Sequence, residues 1–252
     1  LSFSSTGRLT ELERPAVGTT VGGRVGGRGV LEGAFSLLEA VERAGEAGLT
    51  RLAADSGLPK ATAHRLLSQL VELGAVERCR DRYRMGSRIF RLGRRWQPHP
   101  ALLGAARAPV RHFADTTGAT VGLCVLREGR TMVVAGVGGQ AGEVAPQRPG
   151  AMYPWSTAAG KVLVAGARPG LPLGPLPSTW ARTAAAIRDK GIAFDHEEIV
   201  PGVFCAAVPL FGADEAVVAS VCAVTASAGQ LTRLAEPLAQ AGQSISTGLR
   251  GR

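Results

Sequence analysis

The sequence predicts an α+β protein built in two parts, and three observations carry that reading. Helical periodicity dominates residues 29–86 and ends in a short two-stranded pattern. From residue 102 onward, apolar runs of strand length alternate with helical segments and tight turns, the pattern of an antiparallel sheet with helices packed on it. At 252 residues the chain is long for one compact domain and comfortable for two.

Residues 1–28 are poor in apolar side chains and close on Gly22-Gly23-Arg24-Val25-Gly26-Gly27-Arg28. Glycine loses so much backbone freedom on ordering that this stretch is expected to be a flexible, weakly basic arm. Residues 29–86 then form the first domain. Val30, Ala34, Leu37, Leu38, Val41 and Ala44 recur at helical spacing, and Gly45 and Gly48 end that helix. A short second helix over 49–56, capped by Thr50, is closed by Gly57. Pro59 suits the first turn of a third helix that runs from Lys60 to Leu73 on the stripe Ala63, Leu66, Leu67, Leu70. Residues 75–85 read as a hairpin turning at Arg80-Asp81-Arg82, with Val76, Cys79, Tyr83 and Met85 facing inward.

Residues 87–101 read as a linker helix ending in Pro98-His99-Pro100, and residues 102–252 as the second domain. Its expected elements are a helix over 102–116, a hairpin of strands 120–126 and 131–137, and helices over 156–167 and 180–190. Two apolar strands, 203–210 and 217–225, and a last helix from Leu231 complete it.

Composition narrows the partners. Apolar residues make up 45% of the chain and aromatics only 5%, so Leu, Val and Ala must fill the core. The net charge is +9 and is almost all arginine; lysine occurs only at positions 60, 161 and 190. Guanidinium pairs bidentately with phosphate, although a GC-rich coding bias would also raise Arg, Ala and Gly. The four cysteines lack CxxC or CxH spacing and fit reduced thiols. No apolar run reaches the ~18 residues that span a bilayer, and the N-terminus carries no signal pattern. The expectation is a soluble, cytoplasmic protein without membrane contact.

Position settles what the arginines are for. Helix, short helix, Gly turn, helix and hairpin is the order of a winged helix-turn-helix, whose third helix enters the major groove of duplex DNA. At about 100° per residue, the face opposite the apolar stripe centres on Ala61, Arg65 and Ser68, flanked by Thr62, His64 and Gln69. Those residues are small or hydrogen-bonding, as base edges and phosphates require. Lys60 and Thr62 stand at the helix N-terminus, where free N–H groups favour phosphate. Between Arg78 and Arg95 eight arginines face one acid, Asp81, which places the excess on the wing. Arg80, Arg82 and Arg84 could there reach phosphate or the minor groove. A solvated charged face is the competing explanation, but it would have to coincide with the wing of an independently inferred motif.

Several stretches resemble the IclR family of bacterial transcription regulators. In the first domain they are Leu58–Leu67 (LPKATAHRLL), Leu73-Gly74 and Tyr83–Gly86; in the second, Ser156–Lys161 (STAAGK), Gly191–Glu198 (GIAFDHEE) and Pro201–Pro209 (PGVFCAAVP). The resemblance implies a GAF-like C-terminal domain that binds a small organic effector, and homodimers or homotetramers on near-palindromic operators. It places the effector against backbone around Ala158 and Ala159 and side chains of Asp195 and Cys205. Two further positions, commonly serine in small-acid sensors, fall on Cys222 and Val224. Losing two hydroxyl hydrogen bonds, each worth ~1 kcal/mol or more, suits a larger or more apolar ligand. Residues 167–178 are shorter and richer in Pro and Gly than the helical segment usual there.

Other functions leave weaker traces. Gly160-Lys161 lacks the Gly a phosphate loop needs at Trp155 and has Val162 for Ser/Thr; Ala158 occupies the serine place of a Ser-x-x-Lys nucleophile. The 136–141 stretch lacks the βαβ context of a dinucleotide turn. No enzyme and no cofactor is expected. Within the implied pocket, Asp195, Cys205 and Cys222, with His196 nearby, could instead converge on zinc, and Cys79, among wing arginines, could sense oxidants. Plain packing of the thiols is the alternative to both.

Overall fold

The computed structural model describes residues 29–251 apart from Arg95, Gln97, Pro100, Gln140, Val144 and Pro169. The expected arm over 1–28 lies outside the described residues. The chain divides into two compact units, Leu1–Trp96 and Gln97–Arg252.

The first unit runs α1 (Val30–Ala44), β1 (Glu46–Gly48), α2 (Leu49–Ser56), α3 (Lys60–Glu72), β2 (Val76–Cys79), β3 (Arg82–Met85) and α4 (Ser87–Gly93). The face α1 buries is Gly33, Leu37, Ala40 and Val41; Val30, placed on the stripe by periodicity, is exposed at the helix start. Three turns of apolar contact from α1, α2 and α3 meet at Leu37, Leu52 and Leu67, all fully buried. The chain passes directly from β1 into α2, so Gly48 in extended conformation is the N-cap, and Thr50 lies inside the first turn instead of capping it. Gly57 closes α2 in the left-handed region, its N–H donating to the Ala53 and Ala54 carbonyls. Pro59 precedes α3 as its N-cap, and its carbonyl accepts from the Ala63 N–H.

β1 has no signal in the sequence, being three residues with one apolar side chain, yet it completes an antiparallel sheet in the order β1-β3-β2. Pairing Arg78 with Tyr83 and Cys79 with Arg82 fixes which side chains share a face. Val76, Tyr83 and Met85 turn toward the core, as expected. Cys79 does not: two-residue alternation puts it on the opposite face, with Glu77, Arg82 and Arg84.

The second unit contains α5 (Leu102–Thr117), β4 (Thr120–Arg127), β5 (Arg130–Val137), β6 (Met152–Pro154), α6 (Ala158–Gly166), α7 (Trp180–Lys190), β7 (Ala193–His196), β8 (Phe204–Phe211), β9 (Val217–Thr225) and α8 (Ala228–Arg250). The strands form one antiparallel sheet in the order β6-β5-β4-β9-β8-β7. Both faces are covered, which explains why β4, β8 and β9 read as nearly continuous apolar runs. Val121, Leu123, Val208 and Val221 pack on α5 and α8; Cys124, Cys205, Ala207 and Cys222 face α6 and α7. Thr157 caps α6 by accepting the Gly160 N–H at 3.1 Å, which starts that helix two residues later than its periodicity suggests. The described residues between 167 and 178 carry no helix. Among the described residues, no helix is long and apolar enough to cross a membrane.

Candidate functional site

In the first unit α3 separates its residues by chemistry. Ala63, Leu66, Leu67 and Leu70 are buried, whereas Lys60, Ala61, His64, Arg65 and Gln69 are exposed and Thr62 and Ser68 are half-buried. The Ser68 hydroxyl donates to the His64 carbonyl at 3.0 Å, leaving its lone pairs outward. Among the described residues, neither Lys60 nor Arg65 is in an ion pair. The two cations are therefore free to meet an anion.

The wing arginines are held differently from one another. Arg84 donates through Nε and Nη2 to one carboxylate oxygen of Glu77, at 3.0 and 2.9 Å, and that hydrogen bond raises its guanidinium above the ordinary value. Arg82 donates to the Glu46 carbonyl at 2.8 Å and lies 3.3 Å from its carboxylate. Arg80, at the tip of the turn, makes no ion pair among the described residues. It adopts the left-handed region, φ 59°, and Arg78 donates to its carbonyl from a position over the Tyr83 ring. Arg95, the last arginine of the cluster, lies outside the described residues.

In the second unit a small cavity of about 50 Å3 opens between the sheet and the α6 side. Ala159, Asp195, Cys205, Cys222 and Val224 line it; Ala158 does not, being wholly buried where α6 begins, with Thr157 on the wall in its place. The sequence reading missed Cys124, Thr131, Gln147 and Tyr153 as wall residues. Their signal was absent because β5, β6 and the 141–151 segment lie outside the family-like stretches, and Cys124 sits in an apolar run.

Two glycines make room for one of those walls. Gly122 and Gly136 are directly paired across β4 and β5. A Cβ on Gly122 would stand 2.3 Å from the Gln147 side-chain oxygen, and one on Gly136 1.9 Å from the Gln147 carbonyl. The bare patch lets Gln147 lie on the sheet above Cys222, 3.9 Å from its sulfur.

Few of the wall's polar groups are unengaged. The Tyr153 hydroxyl donates to the Pro146 carbonyl at 2.8 Å, and burial pushes its pKa up. Asp195 accepts the Glu198 N–H at 2.9 Å, yet burial outweighs that bond and holds its carboxyl above the ordinary range. Lys161 donates to the Phe194 carbonyl and the Glu198 carboxylate, away from the wall. No Lys, Arg or His is among the described wall residues.

Cys124, Cys222 and Cys205 occupy diagonal positions on β4, β9 and β8, so their sulfurs form a row along one face of the sheet. A row is not a cage. Asp195, Cys205 and Cys222 do share the cavity, but among the described residues no group of three His, Cys, Asp or Glu could hold a metal ion, and His196 is exposed beside Phe194 and Phe204. The zinc alternative therefore finds no ligand set among the described residues.

Comparison with known proteins follows this division. Residues 30–79 match the family described as the IclR helix-turn-helix domain, and residues 178–247 the bacterial transcriptional regulator IclR C-terminal domain. The HTH-type transcriptional regulator XynR of Escherichia coli is 28% identical over 82% of this chain and 91% of its own length. The regulator BhcR of Paracoccus denitrificans is 26% identical over 91% and 93%. An IclR homolog from Microbacterium hydrocarbonoxydans, solved with 4-hydroxybenzoate, shares the fold with a TM-score of 0.78 at 22% identity, over 89% of this chain and 100% of that one. Pseudomonas aeruginosa HmgR gives 0.68 at 25%, over 87% and 98%.

Proposed function

The chain belongs to the IclR family of bacterial transcriptional regulators, and we propose that α3 of this DNA-binding regulator reads an operator whose occupancy a neutral effector in the C-terminal cavity controls. The observation that carries the DNA half is the polar face of α3, with Lys60 and Arg65 exposed and, among the described residues, in no ion pair, over a fully apolar inner face. Arg65, Ser68 and Gln69 would meet base edges, while Lys60, Thr62 and His64 would fix the helix on phosphates. Arg80 would contact the backbone directly. Arg82 and Arg84 would have to exchange a carboxylate for a phosphate.

The protein would act as a homodimer or homotetramer on a near-palindromic site in the cytoplasm, by binding and not by catalysis. Two recognition helices would lie about one or more DNA turns apart, and the effector would shift the populations of their arrangements. A relative's structure holds 4-hydroxybenzoate. Here the described wall residues include Asp195 and no cation, and Cys222 and Val224 stand where small-acid sensors commonly carry serine, which favours an uncharged ligand. Thermal shift with 4-hydroxybenzamide against 4-hydroxybenzoate tests this. The amide is expected to bind at least ~10-fold tighter, since a buried carboxylate without a partner is costly. Equal or tighter binding of the acid would overturn the neutral-ligand reading. For the DNA half, Arg65→Ala should lower specific binding more than non-specific; an unchanged ratio would remove α3 from the readout.

A further inference from the structure

A cavity of about 50 Å3 has room for about two water molecules, whereas sites for organic ligands run to ~300 Å3 or more. An effector therefore fits only when part of the wall moves. Most of the wall is held from behind. Cys124, Cys205, Cys222 and Val224 belong to the sheet, and Ala159 to a capped helix packed on it. The segment before β6 is tied to β5 through the main chain. There the Val133 N–H donates to the Ala151 carbonyl at 2.9 Å, and the Gly150 N–H to the Val133 carbonyl at 2.8 Å.

Residues 197–203, the connection from β7 to β8, are held differently. They lay Ile199, Val200 and Val203 over the cavity. Left-handed backbone at Glu197, φ 59°, and Gly202, φ 75°, marks the two ends. The loop closes on itself. The Glu197 N–H donates to the Val203 carbonyl at 3.0 Å, and the Gly202 N–H to the Glu197 carboxylate at 2.8 Å. Among the described residues, its hydrogen bonds and ion pairs to the rest of the unit all run through Glu198. The Glu198 N–H donates to Asp195 at 2.9 Å, and each carboxylate oxygen accepts from Lys161 Nζ at 2.6 Å. Lys161 stands on α6, with 13% of its side chain exposed, and is steadied by donating to the Phe194 carbonyl at 3.0 Å. The family-like stretches around Lys161 and Glu198 meet at this pair. Asp195 is 4% exposed and lines the cavity, so one carboxylate touches both the loop and the space beneath it.

We propose that residues 197–203 form a lid over the cavity, and that the Lys161–Glu198 ion pair is the latch that sets how readily an uncharged organic effector enters. With the latch open, Ile199, Val200 and Val203 swing clear and the hollow gains room. The latch stabilises the closed, empty form. The affinity measured for an effector is then its intrinsic affinity scaled by the unlatched fraction of molecules.

The lid governs effector entry only if the cavity is the effector site, and the test separates the two. Cys205 and Cys222, 8% and 2% exposed beneath the lid, report its opening. The full chain is treated with N-ethylmaleimide at about pH 8, near the ordinary thiol pKa, and adducts are mapped by peptide mass. Half-buried Cys79 of the first unit is the internal reference. Glu198→Ala and Lys161→Met are each expected to speed labelling of Cys205 and Cys222 about fivefold relative to Cys79. Melting temperature should hold, because a half-exposed pair adds little to folding. Labelling at the parent rate, or labelling that rises only in step with a fallen melting temperature, would overturn the latch. Amide hydrogen exchange on the parent chain needs no variant: residues 197–203 should exchange ahead of 145–151, and the opposite order would overturn the lid. Protection of the cysteines by 4-hydroxybenzamide, with variants that label like the parent, would sink the latch and leave the effector site standing. Faster labelling in the variants without protection by the amide would do the reverse.

Discussion

Arg80 carries its charge at a backbone position that costs an L-residue strain, φ 59° at the tip of the wing. Arg80→Gly removes the guanidinium and relieves that strain together, so folding stability should hold while DNA binding weakens. If Arg80 meets one phosphate, the slope of log affinity against log salt should become shallower by about 0.9. Arg65→Ala should instead cost about 1–3 kcal/mol of discrimination at one base position. Binding titrations across salt concentrations, on operator and random duplexes, read both effects. Asp195 makes a prediction of the opposite kind. Its carboxyl is held above the ordinary range by burial, so in the fold it resists ionising. Below its unfolded pKa both states carry the proton and the fold is spared. As pH rises through the folded pKa, that stability is lost. Asp195→Asn should therefore melt higher than the parent at pH 7, with the gap closing as pH falls into the carboxylate range.

At the scale of elements, hairpin register decides more than composition does. The arginine-bearing ribbon was legible from the alternation around Arg80-Asp81, but the facing of Cys79 was not, because an apolar-leaning residue was assigned inward without a pairing partner to fix parity. The same holds at the glycine pair of β4 and β5. Nothing near Gly122 or Gly136 in sequence calls for glycine; the demand comes from Gln147, which lies across both. Gly136→Ala should drive a methyl into a backbone carbonyl and cost ~1–3 kcal/mol. Melting temperature should fall, and 4-hydroxybenzamide binding should weaken with it. Unchanged melting and binding would mean that the 141–151 segment is not pinned there. The Thr157 cap, which shortened α6 against its periodic pattern, is the milder case: Thr157→Ala should cost ~1 kcal/mol.

Across the whole molecule, long periodic segments were readable and short or borrowed ones were not. α1, α3, α7 and the strands β4, β5, β8 and β9 carry their patterns locally. β1, β6 and β7, of three or four residues, exist only through their partners. The cavity was half legible. Asp195, Cys205, Cys222 and Val224 came through resemblance, while Cys124, Gln147 and Tyr153 needed the sheet to bring them together.

The sheet of the second unit separates two interiors by a single layer of backbone. Cys222 and Val224 look into the cavity, and their neighbours Val221 and Ala223 press on the α5 and α8 side. Ligand strength can thus be adjusted from behind, by residues that never see the guest. Enlarging Ala223, wholly buried opposite the cavity, should bow the strand forward and narrow the room for a planar occupant, a dial separate from the pocket's own chemistry.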